Sequence, residues 1–414
     1  MRASGLCVLL VLGCGARASE PVSREPSPRG GAARVATTGP RRGGGSASPS
    51  SAGSRATAVV ECTWRVGAPL PAPRRWHAHV VLADGRVLVA GGGHAPTRTD
   101  VYEPARDRWR TVGPLGEARS EHTLTLLADG RVLAVGGTTT PVAGSARLAR
   151  TAEIFDPATE RWVTVATAGS PRFRHRATRL ADGRVLVTGG SQAPSSYAGH
   201  VATTEIFDPR SGTWQQGPSL GHARAFHSAT LLEDGRVIVI GGQVWADDRM
   251  EAVPHVEVLD AAQSAWSRVS AIPEPRSGHT TTALLDGQLL VVGGWNRDHG
   301  RTLLVDRYDP RRDRWSEAGE LAVGRDAHAA TLLPSGHLVV VGGQTNGSVL
   351  RGLRDAIVEV YDPSRDRWTR VDHPPGPRME HTAVTLHGGD ILVFGGVDSH
   401  YDPPLERVEI GRCR

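Results

Sequence analysis

A glycine pair recurs seven times along the chain, beginning at positions 91, 136, 189, 241, 293, 342 and 395. The spacings are 45, 53, 52, 52, 49 and 53 residues. A period of that size marks an array, in which one supersecondary unit is copied until the copies bury each other's faces. Every pair has the same companions. An Arg stands seventeen residues before it: Arg74, Arg119, Arg172, Arg224, Arg276, Arg325 and Arg378. A His stands fourteen before it: His77, His122, His175, His227, His279, His328 and His381. A Trp ends each complete unit, at Trp109, Trp162, Trp214, Trp266, Trp315 and Trp368.

One unit shows what is being copied. Arg224 to Glu233 reads as a strand, and Asp234-Gly235 as a two-residue type I′ turn with both central residues at positive φ. Arg236 to Ile240 is a second strand, apolar enough to be buried on both faces. Val256–Leu259 and Ala265–Val269 are a third and a fourth. Four strands per unit, with a glycine pair ending the second, describe a β-propeller blade. Glycine there lets backbones approach where a side chain would clash.

The glycine doublet, the aromatic of a Tyr/Phe-Asp-Pro turn and the Trp five residues after that Pro resemble kelch repeats. Phe155-Asp156-Pro157 with Trp162, Phe207-Asp208-Pro209 with Trp214, Tyr308-Asp309-Pro310 with Trp315, and Tyr361-Asp362-Pro363 with Trp368 carry the likeness. Tyr102-Glu103-Pro104 departs slightly from it and Leu259-Asp260-Ala261 departs more. The resemblance covers residues 61–414 and implies an all-β fold, a seven-bladed propeller. It leaves function open, because kelch propellers host enzymes, peptide binders and scaffolds alike.

The seventh unit ends after its third strand, Arg407–Ile410, whereas Glu61–Val66, with Trp64, reads as a fourth strand without a blade. The N-terminal strand is therefore expected to close the last blade. Setting Glu409 on Glu359 places Cys413 at the position of Pro363, and setting Trp64 on Trp368 places Cys62 at that of Asp366. Those two positions lie three apart in a hairpin, within about 7 Å, near the reach of a disulfide. A Cys62–Cys413 bond is expected, replacing the hairpin that the chain break removes.

The first residues suggest export to a compartment where such a bond persists. Arg2 is a minimal positive region and Leu6–Leu12 a short apolar one. Val11-Leu12-Gly13-Cys14 resembles a bacterial lipobox, which would make Cys14 the lipidated first residue of a cell-envelope lipoprotein. Ala16-Arg17-Ala18 offers cleavage and secretion instead. Residues 15–60, rich in Ser, Gly, Pro, Ala and Arg, cannot bury enough surface to fold and are expected to be a flexible tether. The expected division is thus 1–14 signal, 15–60 tether and 61–414 propeller.

All 48 basic residues are Arg, which excludes a P-loop lysine and a Schiff-base lysine. The formal charge of +5 resides in the leader and tether, so the propeller is near neutral and nucleic acid is not an expected partner. Each blade also carries one acid in its third strand: Asp100, Glu153, Glu205, Glu257, Asp306, Glu359 and Glu409. One acid per repeated Arg points to structural ion pairs rather than an anion-binding ring. One His per blade points to scaffold rather than metal, whose ligands gather at one place. No metal or cofactor is expected. His79, found only in the first blade, has no role in the repeat.

Residues outside the repeat are the candidates for binding. The loops joining second and third strands are long and individual. They hold Tyr197 and His200; Trp245, Asp247 and Asp248; Trp295, Asn296, Arg297, Asp298 and His299; Arg351 and Arg354; and Asp398, His400 and Tyr401. Trp245 and Trp295, beside carboxylates and amides, suit a sugar or a peptide, although such rings also pack their own loops. The expected function is a monomeric, tethered or secreted module that binds a glycan, peptide or protein partner. The alternative is a carbohydrate-active enzyme of the kelch mutarotase type. The copper radical oxidases that resemble this fold need a Tyr–Cys cross-link. Cys7 and Cys14 lie in the leader and Cys62 and Cys413 at the closure, so no Cys remains for it.

Overall fold

The computed structural model describes residues 60–139, 146–167, 169–194, 198–346, 357–371, 376–398 and 402–414. Seven four-stranded antiparallel sheets follow one another along the chain. In the fourth blade the strands are Ser228–Leu231, Val237–Ile240, Val256–Leu259 and Trp266–Val269, paired in that order. The first strands of successive blades touch one another, so they ring the axis and the Trp-bearing fourth strands lie outermost. The seventh blade is composite. Cys62–Val66 pairs with Val408–Cys413, placing Trp64 opposite Gly411 and Cys62 opposite Cys413, and the two cysteines are disulfide-bonded. Gly411 leaves room for the Trp64 ring, where other blades carry their own aromatic.

Every second strand is buried from end to end, because its two faces lie against neighbouring blades. The core is therefore a set of seams rather than one cluster. Leu232, Ile238 and Ile240 of blade four meet Leu289, Val291 and Tyr308 of blade five. The closing seam is the most aromatic: Phe394 of blade seven packs against His77, His79 and Trp109 of blade one. His79 thus has a structural place, with Nδ1 3.2 Å from the Thr382 hydroxyl of the seventh blade.

The repeated residues form one device. Gly242 N–H donates to the Arg276 carbonyl of the next blade (3.0 Å), and the equivalent bond recurs at all seven seams, ending with Gly396 to Arg74. Gly241, at φ 58°, lies so close to that carbonyl that a Cβ would come within 2.5 Å of it. The doublet is needed because another blade's backbone occupies the space. Arg224 donates to the carbonyls of Gly241 (3.0 Å) and His255 (2.8 Å) and to the Glu257 carboxylate. All seven Arg are at most 1% exposed and pair with the third-strand acid of their own blade, at 2.6 Å for Arg119–Glu153 and 3.0 Å for Arg172–Glu205. Burial lowers the pKa of Arg378, to about 10, against the opposing pull of Glu409.

One local expectation is corrected. Asp234-Gly235 is not a type I′ turn, since only Gly235 has positive φ. Gly235 N–H bonds the Leu232 carbonyl and Leu232 N–H bonds the Arg236 carbonyl. This is a longer loop with a left-handed glycine bulge, in which the Asp234 carboxylate instead accepts from the backbone and side chain of Arg236.

Candidate functional site at the mouth of the axial channel

Two residues after each repeated Arg, the backbone turns left-handed. The positions are Trp76 (φ 54°), Glu121 (55°), Arg174 (55°), Phe226 (55°), Gly278 (65°), Ala327 (50°) and Glu380 (56°). For non-glycine residues this conformation is strained. A circle of hydrogen bonds supports it: N–H of Glu121 donates to Trp76 O (2.9 Å), Arg174 to Glu121 O, Phe226 to Arg174 O, Gly278 to Phe226 O and Glu380 to Ala327 O. The circle crowns the axial channel on the face where first strands begin and second strands end. Its frame repeats while its side chains differ.

Those side chains form an asymmetric arc. Arg174 grips the Glu121 carboxylate with two bonds (2.8 and 2.9 Å) and lies over the rings of Phe173 and Phe226 (4.9 and 4.5 Å). The Arg75 guanidinium lies 4.0 Å above Trp76 and 3.7 Å from Glu380 Oε2. That oxygen is buried and accepts no hydrogen bond among the described residues. Burial raises the Glu380 carboxyl above the usual carboxylate range, and the Glu121 charge adds to this, against Arg75, Trp76 and Arg174. Gly278 and Ala327 leave the blade-five and blade-six side of the mouth without bulk. The arc can therefore offer cations, carboxylates and aromatic faces to a chain or ring docked across it.

The long loops stand as a rim around this mouth. Gln243–Ala246 and Arg249–Ala252 form a hairpin with Asp247 and Asp248 at its left-handed tip, so the type I′ turn occurs here. Trp245 is half-buried, and its N–H donates to His200 Nδ1 (3.2 Å) of the preceding blade. Trp295-Asn296 pairs with Gly300-Arg301. Asn296 is buried, donating to Glu274 (2.5 Å) and accepting from His299 N–H (2.7 Å), while Arg297, Asp298 and His299 are exposed at the tip. Trp295 is half-buried and its backbone pairs with Ser277, next to Gly278 of the circle. Tyr197, Arg351, Arg354, His400 and Tyr401, like Cys14, lie outside the described residues. The mouth arc escaped sequence reading because nothing repeats in its side chains. The available signal was the third place of the Arg-x-x-His pattern, where the chemistry changes from blade to blade.

The profile of the KLHDC2/KLHL20/DRC7 Kelch-repeats domain matches residues 56–242 and 218–396. The chain belongs to the kelch-repeat family. Among curated kelch proteins, mouse Kelch-like protein 35 is 25% identical over 269 residues, which is 62% of this chain and 42% of that protein. This kelch chain therefore spans less than half the length of that relative. Among solved structures, a fungal alcohol oxidase in complex with copper superposes with a TM-score of 0.65 at 15% identity, over 84% of this chain and 76% of that one. The structure of YjhT superposes with a TM-score of 0.57 at 17% identity, over 73% of this chain and 98% of that one. At these identities the likeness is one of fold.

Proposed function

We propose that this kelch propeller is an exported protein-interaction module that receives a peptide segment of its partner across the channel mouth. One observation carries the reading: a sevenfold backbone circle of uniform geometry holds Trp76, Glu121, Arg174, Phe226 and Glu380, five different demands on a ligand. A scaffold alone has no need of that variety, and packed aromatic and Arg side chains are what interfaces concentrate. The rim residues Trp245, Asp247, Asp248 and Trp295, with Arg297, Asp298 and His299, would flank the bound segment. Export rests on the Leu6–Leu12 and Cys14 pattern, with lipid anchoring at Cys14 or cleavage after Ala18 as its two forms. The test is selection of displayed peptides on the purified protein, followed by titration calorimetry on Arg174→Ala and Glu380→Gln variants. Selected peptides should bind the parent and lose tenfold or more on both variants. Peptides indifferent to both substitutions would remove the mouth from consideration.

The unpartnered Glu380 carboxyl favours one second reading, an acid–base group acting on a sugar ring. Proton NMR of anomer exchange in reducing sugars, with Glu380→Gln as control, tests it. Exchange rates equal to buffer would end that reading.

A further inference from the structure

The residue following each repeated His has a settled job in most blades. Its hydroxyl meets Nε2 of the next blade's His: Thr123 with His175 (3.0 Å), Ser228 with His279 (3.1 Å), Thr280 with His328 (2.9 Å) and Thr382 with His77 (3.0 Å). The third blade breaks this rule with Arg176. His227 then takes its hydroxyl from Thr188 of the second strand instead (2.9 Å). Arg176 uses only Nε in the protein, donating to the His227 carbonyl at 2.8 Å. No carboxylate oxygen lies within 4.0 Å of its guanidinium among the described residues. It begins an innermost strand, so its exposed surface belongs to the axial channel. The repeated Arg and the mouth Arg75 and Arg174 all have acids beside them. Arg176 has none, and enclosure by the blades lowers its pKa with no acid opposing. A charge held this way attracts a counter-ion, because an enclosed cation without one is costly.

We propose that the axial channel holds a carboxylate or similar small oxyanion on the free Nη atoms of Arg176, just inside the mouth. The site is separate from the mouth arc and stands whether or not a peptide docks there. A planar guanidinium with two free donor edges suits bidentate binding of such a group.

The test uses the full chain and trifluoroacetate, followed by fluorine NMR line broadening at constant ionic strength. The informative variant is Arg176→Thr, which installs the residue found at this place in blades two, five and seven and so keeps the fold. An Arg210→Ser variant, removing an exposed Arg of the opposite face, controls for binding to guanidinium groups in general. Saturable broadening is expected for the parent and Arg210→Ser proteins, with tenfold or greater loss in Arg176→Thr. Equal broadening in all three overturns the proposal. Competition then assigns the source. Displacement by acetate and phosphate alone marks a free-ion site; displacement also by a short peptide with a free, but not an amidated, C-terminus marks a ligand's terminal carboxylate. Displacement by none of them overturns it.

Discussion

Oγ1 of Thr123 and Nε2 of His175 are hydrogen-bonded at 3.0 Å, tying the second blade to the third beside the axis. In the first blade the hydroxyl is missing, because Ala78 holds the place of Thr123, and neither ring nitrogen of His122 has a hydrogen-bond partner among the described residues. Ala78→Thr should therefore stabilise the protein by about 1 kcal/mol, the net worth of one satisfied buried bond. Thr123→Ala should cost about 1–3 kcal/mol by orphaning His175. Urea unfolding of both variants checks the pair; an Ala78→Thr protein less stable than the parent would show that crowding outweighs the bond.

The seven repeated His are all held below the ordinary imidazole value of 6.5 by burial, with neighbouring Arg charge adding to it. His175, His279 and His328 fall to about 3, and His79 to about 4. Below pH 6.5 the unfolded chain takes up protons that the folded one refuses, so the unfolded state is favoured. The stabilisation is complete above pH 6.5 and is lost progressively as pH falls toward 3. Thermal midpoints should drop steeply across that window, and less steeply in a His175→Gln variant. Identical pH profiles for the two proteins would contradict this.

Arg224 and Glu257 are 0% and 2% exposed at their side chains, so neither tolerates loss of the other. Arg224→Met alone should destabilise by about 3–5 kcal/mol by leaving a buried carboxylate uncompensated. Arg224→Met with Glu257→Leu should recover much of that loss, because two apolar side chains need no pairing. A double variant as unstable as the single one would mean that the carbonyl bonds of Arg224, rather than its charge, are what the blade requires.

The Cys62–Cys413 bond joins residues 351 apart and closes the whole ring. By loop entropy it contributes about 6 kcal/mol, less any strain in the folded state. Cys62→Ser and Cys413→Ser should each lower the unfolding midpoint by a similar amount, and reductant should lower the parent to meet them. If the parent's midpoint ignores reductant while its two thiols react with a labelling reagent, the closure rests on strand pairing alone.

Sequence by itself determined the blade count, the strand order within a blade and the composite seventh blade, because each rests on residues that recur. Seven glycine doublets, seven Arg with seven acids, and one orphan strand around Trp64 admit few other arrangements. The one-to-one match of Arg224 with Glu257, repeated in every blade, was readable as pairing because stoichiometry needs no coordinates. Tertiary structure alone decided what the repeats face. Gly241 is glycine because Arg276 of another blade lies against it, 35 residues further along the chain. Trp76, Glu121, Arg174, Phe226 and Glu380 share no residue type, yet a backbone circle brings them to one mouth. Arg176 looks like any charged strand residue until ring closure encloses it without an acid. A repeat announces the interactions that every copy makes; the interactions made once, across the axis, have no period and appear only when the ring is closed.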